Sequence, residues 1–308
     1  MGTNSVLIVG SVALDSVETP FGKVEKVLGG AAVYSSVAAS FFAPVCLVGV
    51  VGDDFPEEHL EFLASRDIDM RGLRVVPGKK TFHWKGAYFG DLNDAHTIDT
   101  ELNVFEEFRP ELPAEYRSCK YVFLANIDPD LQLEVLSQIE SPRLVACDTM
   151  NFWIERKRAQ LLEVLKRVDI AFMNDAEARQ LTAEPNLNRA ASEIHKLGPK
   201  YVIVKKGEHG AVLYCDSDLC FIAAPYPLYE VVDPTGAGDS FAGGFMGYMA
   251  RTGVINRDHL RRAVVYGSTL ASFNVQDFSL NRLRSLTMDD INRRYEEFRR
   301  IVHFEPAE

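Results

Sequence analysis

Short apolar runs alternate with helix-patterned stretches along most of this 308-residue chain, and no other feature restricts its fold as much. "SVLIVGS" reads as a buried strand, "GGAAVYSSVAASFF" as a helix and "VCLVGVVG" as a second strand. Helical "PEEHLEFLASR" follows, then strands "KYVFLA" and "RLVACD", helix "ERKRAQLLEVLKR", strand "IAFMN" and helix "DAEARQLT". Strands that alternate with helices build a mostly parallel sheet with helices on both faces. The expectation is an α/β fold whose ligands bind beyond the carboxyl ends of the strands.

Two stretches break the rhythm. Residues 16–28, "SVETPFGKVEKVL", and 74–108 carry β-like alternation and turn residues with little helix signal. They are expected to pair as a small antiparallel sheet outside the main one. Pattern alone leaves three uses for it: a lid over the strand ends, an edge extension, or the contact face of a homodimer. With no linker, repeat or low-complexity tract, residues 1–308 read as one domain carrying this discontinuous β lid.

The formal net charge of -11 argues against nucleic acid or an anionic membrane as partner, because both demand phosphate neutralisation. An anionic ligand must then be held by local dipoles and a few placed cations. Cys46, Cys119, Cys147, Cys215 and Cys220 form no CxxC pair, and the first three sit in apolar runs as core residues. The seven histidines lack HxH or HExxH spacing, so neither a disulfide framework nor a zinc site is expected. "MGTNSVLIVGSVALD" has no basic flank and no long apolar core, and a cytoplasmic location is expected.

The stretch with the most chemistry is "VVDPTGAGDSFAGGFMGYMA", residues 231–250. Phe241, Phe245 and Met249 recur every fourth residue, the helical period, yet Gly243, Gly244 and Gly247 lie in the same run. Each glycine costs roughly 0.8–1 kcal/mol against alanine in a helix interior, so a packing requirement must offset it. Val231-Val232 is read as the end of a strand that Pro234 stops, with the helix beginning near Asp239. Gly236, Ala237 and Gly238 then sit where backbone N–H groups point outward unpaired, which makes an anion site. Asp239 as a first-turn or capping acid is the plain alternative. A carboxylate beside a phosphate cradle repels the ligand unless it has a task, and general-base chemistry on an attacking hydroxyl is such a task. The run is not GxGxxG, since Phe241 takes the third glycine's place. Nor does "PGKKT" at 77–81 complete a GxxxxGK[ST] loop.

These residues resemble the C-terminal signature of the ribokinase-like (PfkB) carbohydrate kinase family. The similarity extends through "GSVALD" at 10–15, "GGAAVY" at 29–34, "VGVVGDD" at 48–54, "NDAE" at 174–177 and "KKGEHGA" at 205–211. It implies an ATP-dependent phosphotransferase whose β lid closes over a sugar-like alcohol. Gly236, Ala237 and Gly238 would form the anion hole, and Asp239 would be the base. Asn174 and Glu177 match the family's NxxE motif, which organises Mg²⁺ and its waters; by spacing alone they form a capping box. Lys205 and Gly207 match a turn that meets the nucleotide, although Lys205 replaces the threonine common there in ribokinase. Asp233 and Thr235 match residues that hold a monovalent cation, K⁺, in several members; bracing of the turn by Asp233 is the alternative.

Asp15 matches the acid that grips substrate hydroxyls, and Gly29 and Gly30 would let the backbone approach the sugar. Ala13 and Tyr34 stand where asparagines usually contact ribose, which turns the expectation away from free ribose. The lid aromatics Phe82, Trp84, Tyr88 and Phe89 could stack on a base or simply pack the sheet. Asn126 and Asp128 are further candidates for the pocket wall. The expectation is a small-molecule nucleoside kinase of a bacterial nucleoside-kinase-like branch. A kinase of a plain sugar such as a hexose or inositol is the first alternative, and a non-catalytic binder the second.

Overall fold

The computed structural model describes residues 4–90, 92–93, 95–216 and 218–305. Its order begins β1 (Val6–Val9), β2 (Ala13–Thr19), β3 (Gly22–Gly29), α1 (Ala31–Ser40), β4 (Val45–Gly52), α2 (Glu57–Ala64), β5 (Ile68–Val76), β6 (Phe82–Tyr88) and β7 (Ala95–Glu101). There follow β8 (Tyr121–Leu124), α3 (Pro129–Gln138), β9 (Leu144–Cys147), α4 (Asn151–Arg156), α5 (Arg158–Leu165), β10 (Ile170–Asn174), α6 (Asp175–Thr182) and α7 (Leu187–Lys196). The last elements are β11 (Tyr201–Lys205), β12 (Ala211–Cys215), β13 (Asp218–Ala223), α8 (Ala237–Thr252), α9 (Arg257–Asn274), α10 (Asn281–Arg284) and α11 (Met288–Val302).

The α/β expectation holds. The main sheet runs β13-β12-β11-β10-β9-β8-β1-β4-β5, parallel from β11 through to β5 and antiparallel at the β11–β12–β13 end. Successive residues of a strand face opposite sides, and β1 shows the consequence. Val6 and Ile8 enter a core shared with α1, α8 and α9, while Leu7 and Val9 enter a second core shared with α3, α5, α6 and α7. Apolar residues at every position of β1 therefore report two covered faces. From β1 the chain builds outward first through β4 and β5, then on the other side through β8 to β13. The order reverses at β1, where such sheets open a crevice for ligands.

A second sheet has the order β3-β2-β6-β7. Its two hairpins are antiparallel within themselves, and β2 joins β6 in parallel. β2 begins at Ala13, so Asp15 belongs to the small sheet, whereas β5 carries residues 74–76 into the main sheet. Among the lid aromatics, Phe82 packs on Phe105 and Phe89 lies exposed beside His96, while only Tyr88 is buried.

Helix α8 explains its glycines. Phe241 and Phe245 meet Phe172 of β10 edge-on, with ring centroids 6.1 and 5.3 Å apart. A Cβ on Gly243 would collide with the Ser35 carbonyl of α1, and one on Gly247 would stand 2.7 Å from the Ala39 carbonyl. Gly244 faces α9 instead, with its nearest neighbour, on Leu270, at 3.2 Å. Two expectations change here. α8 begins at Ala237, two residues early, because left-handed Gly236 (φ 73°) forms the boundary. Val231-Val232 is not a strand, since the Val232 N–H bonds the Val275 carbonyl at the end of α9 instead of a sheet neighbour.

The two glycine contacts differ enough to be told apart. Gly243→Ala should lower the unfolding free energy by about 1–3 kcal/mol through overpacking against α1. Gly244→Ala should stay within about 1 kcal/mol of wild type, because a helix-propensity gain offsets a slight squeeze. Urea unfolding of both variants checks the contrast; equal losses would mean that the α1–α8 approach is not tight.

Candidate active site

Five neighbouring strands place polar residues at their carboxyl ends: β1 leads to Asp15, β8 to Asn126, β9 to Asp148, β10 to Asn174 and β11 to Lys205. Asn174 and Lys205 are register partners. The N-terminus of α8 arrives over this row, and the small sheet closes above it. Tyr88 of β6 reaches down to the Thr235 hydroxyl at 3.3 Å, and Asn93 lies against Gly207. The two residues it meets precede the anion turn and follow β11.

Asp15 is buried, and its Oδ2 accepts the Gly30 N–H at 3.2 Å. A Cβ on Gly29 would collide with that carboxylate, and Gly30 has a φ of 95° that favours glycine. These glycines thus make room for Asp15 itself. Burial pushes its pKa up to about 7 against the Gly30 hydrogen bond, and Asp233 and Asp239 raise it further.

Gly236 leads into α8 with no side-chain cap. The Ala237 N–H donates to the Pro234 carbonyl at 3.1 Å, so of the expected anion turn it is the Gly238 amide, with that of Asp239, that is left for a ligand. The Tyr34 ring lies where a Gly236 Cβ would stand. The Tyr34 hydroxyl is buried without a hydrogen-bond partner, near Asp15, Asp233, Tyr88 and Asp239. Asp239 is the third residue of α8 and partly buried. Burial pushes its pKa up to about 7, with Asp148 raising it and Lys205 opposing. It is not the helix cap.

Asn174 and Glu177 form the complete capping box. The Glu177 N–H donates to Asn174 Oδ1 at 2.7 Å, and the Asn174 N–H donates to Glu177 Oε2 at 2.6 Å. The box also buries Glu177 beside Asp148, Lys205 and Asp239. Burial and Asp148 push its pKa up to about 7, and Lys205 opposes them. Among the described residues, no group of three or more His, Cys, Asp or Glu is arranged to hold a metal ion directly.

Asp233 braces its turn. Its Oδ1 accepts the Thr235 N–H at 2.9 Å and its Oδ2 the Ser279 N–H at 3.1 Å. The Thr235 carbonyl takes Asn274 Nδ2 at 2.7 Å. Asp128 caps α3 and pairs with Lys157 at 2.7 Å, which turns it to structure instead of the pocket. Asn126 accepts the Trp153 indole N–H at 2.9 Å.

The residue that sequence reasoning missed is Asp148. It is buried, and its Oδ2 holds Lys205 Nζ at 2.6 Å. Burial pulls the ammonium's pKa down, but Asp148, Glu177 and Asp239 outweigh it, and Lys205 stays charged. An acid ending the apolar run "RLVACD" was the available signal, because ligands gather at strand ends.

A family model described as pfkB family carbohydrate kinase matches residues 4–285. A cytidine kinase of Thermococcus kodakarensis is 33% identical over 250 residues, 80% of this chain and 88% of that one. The nucleoside kinase of Methanocaldococcus jannaschii, an archaeal member of the ribokinase family, shares the fold with a TM-score of 0.78. That match has 23% identity and covers 96% of this chain and 98% of that chain. A candidate ribokinase II of E. coli in complex with ATP and Mg²⁺ matches with a TM-score of 0.77 and 20% identity, over 96% and 99% of the two chains.

The site's carboxylates make stability depend on pH. Asp15, Glu177 and Asp239 ionise near pH 7 when folded, against ordinary values of 3.8, 4.5 and 3.8. Between about pH 4 and 7 the folded chain keeps protons that the unfolded chain has released, so stability falls as pH rises through that window. Asp239→Asn removes one such group. Its gain in Tm over wild type should be larger by about 2–4 °C at pH 8 than at pH 5. Calorimetric melts at the two pH values test this, and a pH-independent difference counts against it.

Proposed function

The chain belongs to the pfkB family of carbohydrate kinases, and from that premise we propose that it transfers the γ-phosphoryl group of ATP to a sugar hydroxyl of a nucleoside. The observation that carries the reading is Asp239, a carboxylate with its pKa near 7, in the first turn of an uncapped helix beside a buried lysine. Asp239 takes the proton of the acceptor hydroxyl as that oxygen attacks the γ-phosphorus. The bond to the bridging oxygen breaks and ADP leaves. The N–H groups of Gly238 and Asp239, with the Lys205 ammonium, stabilise the charge on the transferring group. Gly207, against the lid residue Asn93, belongs to the nucleotide side.

Asp15 accepts hydrogen bonds from the sugar through the oxygen that Gly30 does not hold, and the orphan hydroxyl of Tyr34 faces the same space. The small sheet serves as the lid, excluding water through Tyr88. A nucleoside suits this pocket better than bare ribose: Tyr34 and Ala13 replace polar sugar contacts, and the 33% identical relative is a cytidine kinase. Asn126 lines the wall on the β8 side.

Mg²⁺ fits the residues present. Glu177 and Asp239 are neighbouring carboxylates whose charge a divalent ion would neutralise, and Asn174 with Glu177 would hold that ion through its waters. When bound, it supplies charge neutralisation on the phosphate oxygens. K⁺ would be held by Asp233 and Thr235, since each Asp233 oxygen accepts a single backbone N–H and keeps a lone pair. Asp233 is also the turn's brace.

Cytidine, adenosine, inosine, ribose, fructose and myo-inositol assayed side by side with ATP and Mg²⁺ test the acceptor. A nucleoside should exceed free ribose in kcat/KM by about ten- to a hundredfold, the worth of one stacked base. Asp239→Asn should cut kcat by about 10²–10⁴-fold. A free sugar or inositol as best acceptor overturns the nucleoside reading, and a loss below about tenfold in the variant removes Asp239 as base.

Glu177→Gln keeps an acceptor oxygen for the capping box, so helix α6 should persist. The Mg²⁺ concentration for half-maximal rate should rise severalfold. Unchanged Mg²⁺ dependence would leave Glu177 as a cap alone.

A further inference from the structure

Asp148, the buried half of an ion pair with Lys205, has no contact with the transferring group in the reaction proposed above. Asp148 Oδ1 accepts the Thr149 N–H at 2.9 Å, and its Oδ2 takes Lys205 Nζ at 2.6 Å. The Asp148 side chain is 5% exposed and that of Lys205 is 17% exposed. The ammonium lies 3.0 Å from the point where a Cβ on Gly238 would stand, so it rests against the first turn of α8. Asp239 and Glu177 also attract it. Lysine is a point charge on a flexible stem, free to follow the strongest carboxylate. Were it to pair with Asp239, it would hold the base as its ion-pair partner.

We propose that Asp148 is a positioning residue that pins Lys205 against the first turn of α8 and keeps it off Asp239. The inference rests on the kinase reading above and adds to it a residue that acts only through Lys205. Two features of the pair favour positioning over plain stability. A buried ion pair is weak evidence for stability, because desolvation offsets its attraction. And the pair stands beside the anion turn, where a fixed cation meets developing charge without reorganising.

The charged and titratable groups around Asp239 come from every side. They are Asp148 and Lys205 at strand ends, Glu177 on α6, Asp15 on β2, Tyr34 on α1 and Tyr88 on β6. Removing the Asp148 charge takes away a repulsion and releases the ammonium toward Asp239. Both changes make Asp239 ionise at lower pH, so the acid limb of kcat/KM moves to lower pH while kcat falls.

The experiment is a double-mutant cycle of D148N, K205M and the pair, read in kcat, in the acid limb of kcat/KM and in calorimetric affinity for Mg·ATP. Each single substitution should lower kcat by at least about tenfold. Adding D148N to K205M should then change kcat by less than about twofold, because Asp148 has nothing left to position. The acid limb of D148N should lie below that of wild type. The double variant leaves neither charge of the pair unpartnered, so its comparison with K205M serves even where D148N does not fold. Multiplicative losses in the cycle, or an unmoved acid limb, overturn the proposal. The binding cycle separates the two readings. Non-additive Mg·ATP affinities in a chain that phosphorylates no acceptor keep Asp148's role and remove the kinase reading. Additive effects in an active chain remove Asp148's role alone.

Discussion

The contact of α8 with α1, backbone against backbone, is what the rest of the site depends on. Gly243 and Gly247 remove the side chains that would hold the two helices apart, and the Ser35 and Ala39 carbonyls occupy the space. Interhelical distance is set by the residues at the contact, so these two glycines let α8 lie close against α1. Phe241 and Phe245 then reach Phe172 on β10, which fixes the helix along its length. The same seating carries Gly236 onto the Tyr34 ring of α1 and puts Asp239 above the ends of β9 to β11. Helix propensity is given up along α8 so that its first turn lands in one place.

How the small sheet is joined to this frame follows from β2. That strand leaves the end of β1, carries Asp15 and then pairs with both β3 and β6. The residue read as gripping substrate and the sheet that covers it are thus one piece of backbone. A movement of the small sheet would be felt at Asp15 directly. On the far side Tyr88 and Asn93 touch Thr235 and Gly207, segments that flank the anion turn and the end of β11. Asp15, the small sheet and the Gly236 turn are thus joined through β2, Tyr88 and Asn93.

Local patterns made the fold legible. Apolar runs and helical periods gave the parallel sheet, and the glycines ahead of Asp239 marked the turn into α8. Long-range pairings were not legible in the same way. Lys205 and Asp148 are 57 positions apart, and Tyr88 and Thr235 are 147 apart, so no spacing rule reaches them. Val231-Val232 looked like a strand because both residues favour one. The N–H groups of Val232 and Asp233 instead meet the Val275 carbonyl at the end of α9, a tertiary choice that overrides propensity. Asn174 and Glu177 show a different limit: a capping box and a metal-side carboxylate call for the same residues at the same spacing, and the structure has the box in full.

An acidic chain has to hold a polyphosphate without a basic surface, and the site shows how the charges are divided. Five carboxylates, Asp15, Asp148, Glu177, Asp233 and Asp239, gather under the lid with one ammonium among them. Burial first, and then repulsion within this group, raises the pKa of Asp15, Glu177 and Asp239, and on the proposed reading this lets Asp239 take a hydroxyl proton near neutral pH. The same repulsion works against a phosphate anywhere but at the α8 terminus, where dipole, free amides and Lys205 converge. On the proposed reading, negative surroundings therefore serve both halves of the reaction: they help tune Asp239 as the base, and they favour the α8 terminus as the place for the transferring group.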